Sequence, residues 1–391
     1  MAFNRITRSA LFQLIDQHGG PHVTLYLAPP SRVHDSAQDS TRITNLARQA
    51  HAALVSYWMK ESDATTMLQP LTVLSSSADV SKPRSHGLAI YLDEHGVKCF
   101  RVESSVREQL FIARRFLIRP MLASLERLDR YEVLTLSENR VALYAGTPEG
   151  LTGADIGGLP PSFRQWQETL TADRGSQVHS AHAHVTGKQG AVFHGQGGTA
   201  DTEAAGLDRY FRQIDQVIGS HRAQQPDSPL ILAGEHRVTS LFRSISKDSS
   251  LVRSAVDGNV DRLSKEQLHD RVKDIVRGEW ERRRNAQAER IREHDVPTTT
   301  DPERILVAAC GGEVDTLFID QDEELYGMFM ADRGILKELR RAPVGDPADT
   351  SHDLMELAAV ETLVNGGHVH SVKSDQMPVK SAMAAALRFV P

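Results

Sequence analysis

Six short apolar runs limit what this chain can fold into: His22–Ala28 (HVTLYLA), Gly87–Tyr91 (GLAIY), Tyr131–Leu136 (YEVLTL), Pro229–Ala233 (PLILA), Thr316–Ile319 (TLFI) and His368–Val372 (HVHSV). Each is too short for a buried helix and is bounded by Gly, Pro, Asn or charged residues, so each reads as a strand. Between the runs, apolar residues recur at helical spacing, as at Ile43, Leu46, Ala50 and Leu54. Strands alternating with amphipathic helices bury their apolar faces as α/β layers. A chain of 391 residues exceeds one ordinary domain. The expected fold is therefore three α/β domains.

The first domain runs over residues 1–130. Its opening strand ends at Pro29-Pro30, and the Asp93-Glu94-His95-Gly96 turn joins GLAIY to a hairpin partner at Val97–Val102. The second spans 131–295. It opens on a fresh hairpin, Tyr131–Leu136 and Arg140–Tyr144, turning at Ser137-Glu138-Asn139.

Within the second domain, Asp173–Gly198 holds six Gly, four His and three Gln with few large apolar residues. Such a stretch has little to anchor in a core and reads as a long loop, a kind that is functional or disordered. After it, Leu207, Tyr210, Phe211, Ile214, Val217 and Ile218 form one continuous helical stripe, with Asp201 or Thr202 placed to cap the helix start.

Lys265–His294 is a charged connecting helix, with eight Lys and Arg among five Asp and Glu from Arg271 onward. This balance reads as a solvated face more than a nucleic-acid arm. The linker VPTTTD leads to the third domain, 300–391. There Asp301-Pro302 starts a helix that stops at Gly311-Gly312, and Asp353–Val364 forms another that ends at Asn365-Gly366-Gly367. With the strands at 316–319 and 368–372 and the closing segment Ser381–Phe389, this is a compact α/β/α layer domain.

The net charge of −6 argues against generic coating of nucleic acid. It is unevenly spread: residues 301–391 carry 8 Lys and Arg against 16 Asp and Glu, a balance of −8, and the rest of the chain carries +2. An acidic C-terminal region suits a protein partner better than naked RNA. The two cysteines, Cys99 and Cys310, sit in apolar stretches and read as inert buried thiols of a reducing compartment. The N-terminal residues form a short amphipathic helix with Leu11, Leu14 and Ile15 on one side, lacking a signal peptide's apolar run. No stretch approaches the ~20 apolar residues of a membrane span. The expected location is the cytoplasm, with no membrane partner and no DNA partner.

Few motifs carry chemistry. His179, His182 and His184 give an H-x-x-H-x-H spacing, yet they lie on a loop without the three or four converging ligands a zinc site needs. No metal is expected. Glu235-His236-Arg237 and Asp315 sit at strand ends, where α/β folds often bind ligands, but nothing nearby supplies a nucleophile. A Walker loop, a dinucleotide fingerprint and a nucleophile elbow are all missing, so no cofactor is expected.

Several segments resemble, in order, the archaeal and eukaryotic class-1 peptide chain release factors and their paralogue pelota. Val192-Phe193-His194-Gly195-Gln196-Gly197-Gly198-Thr199, running into a helix, looks like the family loop His-Gly-Arg-Gly-Gly-Gln. Leu230–Gly234 looks like the strand that follows it. Gly312–Ile319 (GEVDTLFI) looks like the Gly-Ala-Val-Asp-Thr-Leu-Leu-Ile strand of the family's C-terminal domain, and Gly367–Val372 with Ala386–Phe389 matches that domain's close. His22–Leu27 and Leu136–Val141 resemble the bacterial branch. The resemblance implies a last domain similar to the ribosomal L7Ae-like domain.

It also implies a ribosome-associated factor seated in the A site of idle or stalled ribosomes, in hibernation or rescue. Lys188, His194, Gly195, Gln196, Gly197, Gly198 and Thr199 then form the loop that contacts ribosomal RNA. A translational GTPase, elongation factor Tu in bacteria, is the implied protein partner. In the release factors a Gln directly follows Gly-Gly and positions the hydrolytic water. Here that position is Thr199, and Gln196 stands earlier. An Asn-Ile-Lys-Ser stop-codon motif is absent from the N-terminal domain. The expectation is binding without peptide hydrolysis. The alternative is a divergent peptidyl-tRNA hydrolase that uses the 194–199 loop.

Overall fold

In the computed structural model the described residues are 4–17, 19–29, 38–77, 80, 87–102, 106–125, 130–137, 139–147, 150–160, 162–168, 199–223, 228–330, 335–339 and 352–389. They form α/β layers, as the strand and helix alternation requires. Two compact units divide the chain: Met1–Leu128 with Arg282–Pro391, and Asp129–Glu281.

The first unit contains a five-stranded sheet. Its strands are β1 (Asn4–Arg5), β2 (His22–Leu27), β3 (Gly87–Asp93), β4 (Gly96–Val102) and β5 (Gln109–Ala113), in the order β1-β4-β3-β2-β5. Every residue of β2 and β3 is buried because both faces of the sheet are covered. On one face lie α2 (Asp39–Tyr57) and α3 (Glu61–Ser75), packed through Ile43, Leu46, Leu54, Leu68 and Leu71. The other face packs against α1 (Arg8–Ile15) and the segment from Phe116 through α4 (Arg119–Leu125). On that side the Tyr26 and Tyr91 hydroxyls lie 2.6 Å apart, and Tyr26 donates to the Leu117 carbonyl at 2.8 Å. Helix α3 was not legible as such, because it carries Pro70 in its interior, where a proline normally breaks a helix.

The second unit holds the middle sheet, β6 (Tyr131–Leu136), β7 (Val141–Thr147), β8 (Gly150–Ala154), β9 (Leu230–Gly234) and β10 (Leu251–Asp257), ordered β10-β9-β6-β7-β8. β6 pairs in parallel with β9, and β9 with β10, while β7 and β8 add antiparallel hairpins. Helices α5 (Thr199–Arg222) and α6 (His236–Ile245) cover one face. Gly234 is required at the end of β9: a Cβ there would lie 2.3 Å from the Leu136 carbonyl oxygen. The other face is covered by Leu268, Val272 and Val276 from the first part of α7 (Lys265–Arg292). This corrects the reading of that helix as a solvated connector. Its buried stripe is narrow, so its many charges outweigh the apolar signal in sequence.

In the first unit, the last turns of α7 place Ala288 and Ile291 against Phe318, Val372 and Ala384. These belong to a four-stranded sheet of β11 (Thr298–Thr299), β12 (Val314–Asp320), β16 (His368–Val372) and β17 (Met383–Leu387), ordered β11-β17-β12-β16. On its opposite face lie α8 (Pro302–Cys310) and α9 (Leu354–Val364), giving the expected α/β/α sandwich. Asp301 caps α8 by accepting from the Glu303 N–H, and the helix stops at Gly311-Gly312, where Gly312 takes φ +71°. A small sheet not expected from sequence, β14 (Ile335–Leu339), β13 (Tyr326–Met330) and β15 (His352–Asp353), lies between β12 and α9 in the chain.

The cysteines require a correction. Cys99 is half-buried and Cys310 is exposed. The buried face of α8 is made by Ile305, Leu306, Ala308 and Ala309, which leaves Cys310 beyond it at the helix end.

Candidate functional site

The chemistry expected of this chain centres on the start of α5, so the site is built from that helix. Thr199 is its first residue. Asp201 and Thr202 are therefore inside the helix and not at its cap; the Ala-rich start (Ala200, Ala204, Ala205) favours helix three or four residues earlier than those caps would place it. Lys188, His194, Gly195, Gln196, Gly197 and Gly198 lie outside the described residues, and so do His179, His182 and His184.

What holds α5 is clear. Tyr210, Phe211, Ile214 and Ile218 are buried against the sheet. Tyr210 packs among Phe163 and Trp166, with ring centroids 5.3 and 5.4 Å away, and Phe211 meets Phe242 edge-on at 5.8 Å. Burial lifts the Tyr210 hydroxyl above its ordinary pKa. The Trp166 indole N–H donates to Gln213 at 2.6 Å. Such aromatic packing orders a helix more firmly than apolar area alone.

The C-terminal end of α5 is tied by Arg222. Its side chain is 3% exposed and donates to Glu132 on β6, to the Ser228 carbonyl, and to Asp248 at 2.8 Å. A guanidinium presents several fixed donors, so one side chain can satisfy two buried carboxylates and a carbonyl. His221 adds a contact to Glu132 at 3.2 Å. The helix that begins at Thr199 is thus tied down from Tyr210 to Arg222.

One flank of α5 faces the Asp155–Gly158 turn and borders an open groove of about 990 Å³. Arg209, Arg212, Gln216, Ser220 and His221 line it from the helix. Arg212 pairs with Asp208 at 2.8 Å, an exposed pair.

The strand-end residues do not assemble an acid–base pair. Glu235 is the N-cap residue of α6, with His236 and Arg237 in its first turn, in the second unit. Asp315 belongs to the first unit, where it accepts from the Thr316 hydroxyl at 3.0 Å. Among the described residues no group of three or more His, Cys, Asp or Glu side chains could hold a metal ion, and no helix is long and apolar enough to cross a membrane.

Residues 131–278 match the family model described as bacterial archaeo-eukaryotic release factor family 7. The middle unit is thus similar to the bacterial archaeo-eukaryotic release factors over that stretch. The match covers the whole sheet of the second unit, together with α5, α6 and the first half of α7. Among solved structures, the archaeal translation termination factor aRF1 is similar at 12% identity, covering 98% of this chain and 99% of its own, with a TM-score of 0.25. Pelota from Archaeoglobus fulgidus is 14% identical over 78% of this chain and 80% of its own, with a TM-score of 0.30. A ribosome-bound archaeal Pelota, in a model with ABCE1, is 10% identical over 99% and 95%, with a TM-score of 0.40. No curated protein matches the chain in sequence.

In both units, sequence reasoning missed the buried polar anchors. Arg222 lies four residues past Ile218, on the continuation of the helix's apolar stripe, and a charged residue there is buried only with partners. That position was the available signal. Glu356 of α9 carries the same signal, sharing a helix face with Ala359 and Leu363.

Proposed function

We propose that this chain is a translation factor that occupies the A site of idle or stalled ribosomes, in hibernation or rescue, and does not itself hydrolyse peptidyl-tRNA. The observation that carries this reading is the family match over 131–278 together with the sequence Gly197-Gly198-Thr199 at the start of α5. The family supplies the ribosome. Thr199 stands where the hydrolytic Gln of the release factors would be. In this reading Lys188 and the stretch His194 to Thr199 meet ribosomal RNA, with glycines that allow close approach of backbone N–H groups to phosphates.

The 301–391 stretch, with its −8 balance, faces protein. At ordinary salt it repels phosphate over about 8–10 Å, so a translational GTPase such as elongation factor Tu is the proposed neighbour. The compartment is the cytoplasm. The test is co-sedimentation of the purified chain with 70S ribosomes, beside a variant lacking residues 173–198. The full chain is expected in the ribosome pellet and the deletion largely in the supernatant. A full chain that stays in the supernatant with both vacant and stalled ribosomes sinks the reading.

A further inference from the structure

Where the stretch after β5 meets the C-terminal layers inside the first unit, an otherwise apolar seam contains two buried carboxyls and one guanidinium. Glu356 of α9 accepts the backbone N–H of Ile118 at 2.7 Å and that of Arg119 at 2.5 Å. Arg119 Nε donates to Asp353 at 3.0 Å, and its Nη1 donates to the Glu323 carbonyl at 3.0 Å. Asp353 also caps α9 through the Met355 and Glu356 N–H groups, at 3.0 and 3.1 Å. Around them Ile118, Met121 and Leu122 pack with Leu354, Met355 and Ala358.

The charge count is unbalanced. Among the described residues Arg119 is the near cation; its guanidinium is hydrogen-bonded to Asp353 and acts on Glu356 only through space, while Glu356 accepts two backbone N–H groups. The other titratable groups acting on Glu356 are Tyr26 of β2 and Tyr91 of β3, both neutral and buried; Tyr326 of β13 acts on Asp353. Two buried carboxyls thus share one guanidinium, so ionising both leaves a net negative charge in the closed seam, while an opened seam returns it to water.

We propose that Glu356 is a proton-controlled latch: protonated, it holds the Ile118–Arg119 segment against α9, and ionised, it lets that seam open. Burial first, and then Asp353, push the Glu356 carboxyl up to about 8, against the pull of the two N–H donors and Arg119. In the opened seam it returns towards its ordinary value of 4.5. Between those values each pH unit raises the open population up to about tenfold. The device works near neutral pH and is independent of the ribosomal reading.

The test is hydrogen exchange on the full chain from pH 6 to 9, with protection factors corrected for intrinsic base catalysis. The Ile118 and Arg119 amides are expected to lose at least about tenfold in protection across that range, while Leu232 of the middle sheet stays constant. In Glu356→Gln the Ile118 and Arg119 protection is expected not to change with pH. Constant wild-type protection, or the same pH dependence in the variant, overturns the latch. If Glu356→Gln does not fold, the wild-type carboxyl is titrated by carbon-13 NMR. A midpoint above pH 6.5 supports the latch, and one in the ordinary glutamate range overturns it.

Discussion

Trp166 and Gln213 are joined by a 2.6 Å hydrogen bond from the indole N–H to the side-chain carbonyl, and this bond fixes the flank of the helix that begins at Thr199. Trp166 is 7% exposed, so its N–H has little access to water if Gln213 is lost. Gln213→Ala is expected to cost about 1 kcal/mol, at the low end of the penalty for a buried donor left unmade, because Gln213 itself is exposed. Trp166→Ala removes the ring stack as well and is expected to cost about 3–5 kcal/mol. Urea unfolding followed by far-UV circular dichroism measures both. Equal losses for the two variants would show that the ring packing contributes nothing.

Arg222 holds two buried acids, Glu132 and Asp248, at the other end of the same helix. Arg222→Ala leaves both without their cation, a change expected to cost about 3–5 kcal/mol. Arg222→Lys restores the charge but not the fork of donors, so it is expected to recover only part of that. The check is the unfolding midpoint of the three proteins. A lysine variant as stable as wild type would mean that charge alone, and not the geometry of the guanidinium, matters here.

These two anchors show where the sequence was informative and where it was not. The strands at 131–136, 230–234, 314–320 and 368–372 were legible because period and turn residues both mark them. The small sheet at 326–353 was not, since its members are short and its Met-rich strand YGMFM lacks clean alternation. In the candidate site, the helical stripe from Leu207 to Ile218 could be read from local pattern, but the start of the helix at Thr199 could not. The partners of Arg222 could not: Glu132 is 90 residues away, and pairing at that separation leaves no local trace. The Glu356 contact to Ile118 spans 238 residues and was invisible for the same reason.

Stability should depend on pH through Glu356. Its carboxyl is raised in the folded chain from 4.5 to about 8, chiefly by burial. A raised acid favours the folded state while protonated, so its contribution is complete below about pH 4.5 and is lost as pH climbs towards 8. The loss is as much as about 1.4 kcal/mol per pH unit in that window. The melting temperature is therefore expected to fall from pH 5 to pH 8 and then level off. Glu356→Gln should flatten that slope. Calorimetry across the range decides it, and a wild-type melting temperature that rises over the window would refute the assignment.

Peptide release is the last expectation, and it is negative. Hydrolysis of the peptidyl ester needs a water held near the carbonyl, with donors in hydrogen-bond reach of the developing oxyanion. In the resembling release factors a Gln directly after Gly-Gly serves there. This chain has Thr199, whose branched side chain is stiff at χ1 and carries no amide. Thr199 is also the first residue of α5, whose later turns are held by Tyr210, Phe211 and Arg222. Misplacement by about 1 Å can cost about 100-fold in rate. Ribosomes carrying labelled peptidyl-tRNA in the P site are expected to retain their peptide when this protein is added. Gln196→Ala and Thr199→Ala are expected to change ribosome affinity at most. Peptide released by the wild type and lost in Gln196→Ala would promote the hydrolase reading, with Gln196 presenting its amide from three residues before Thr199.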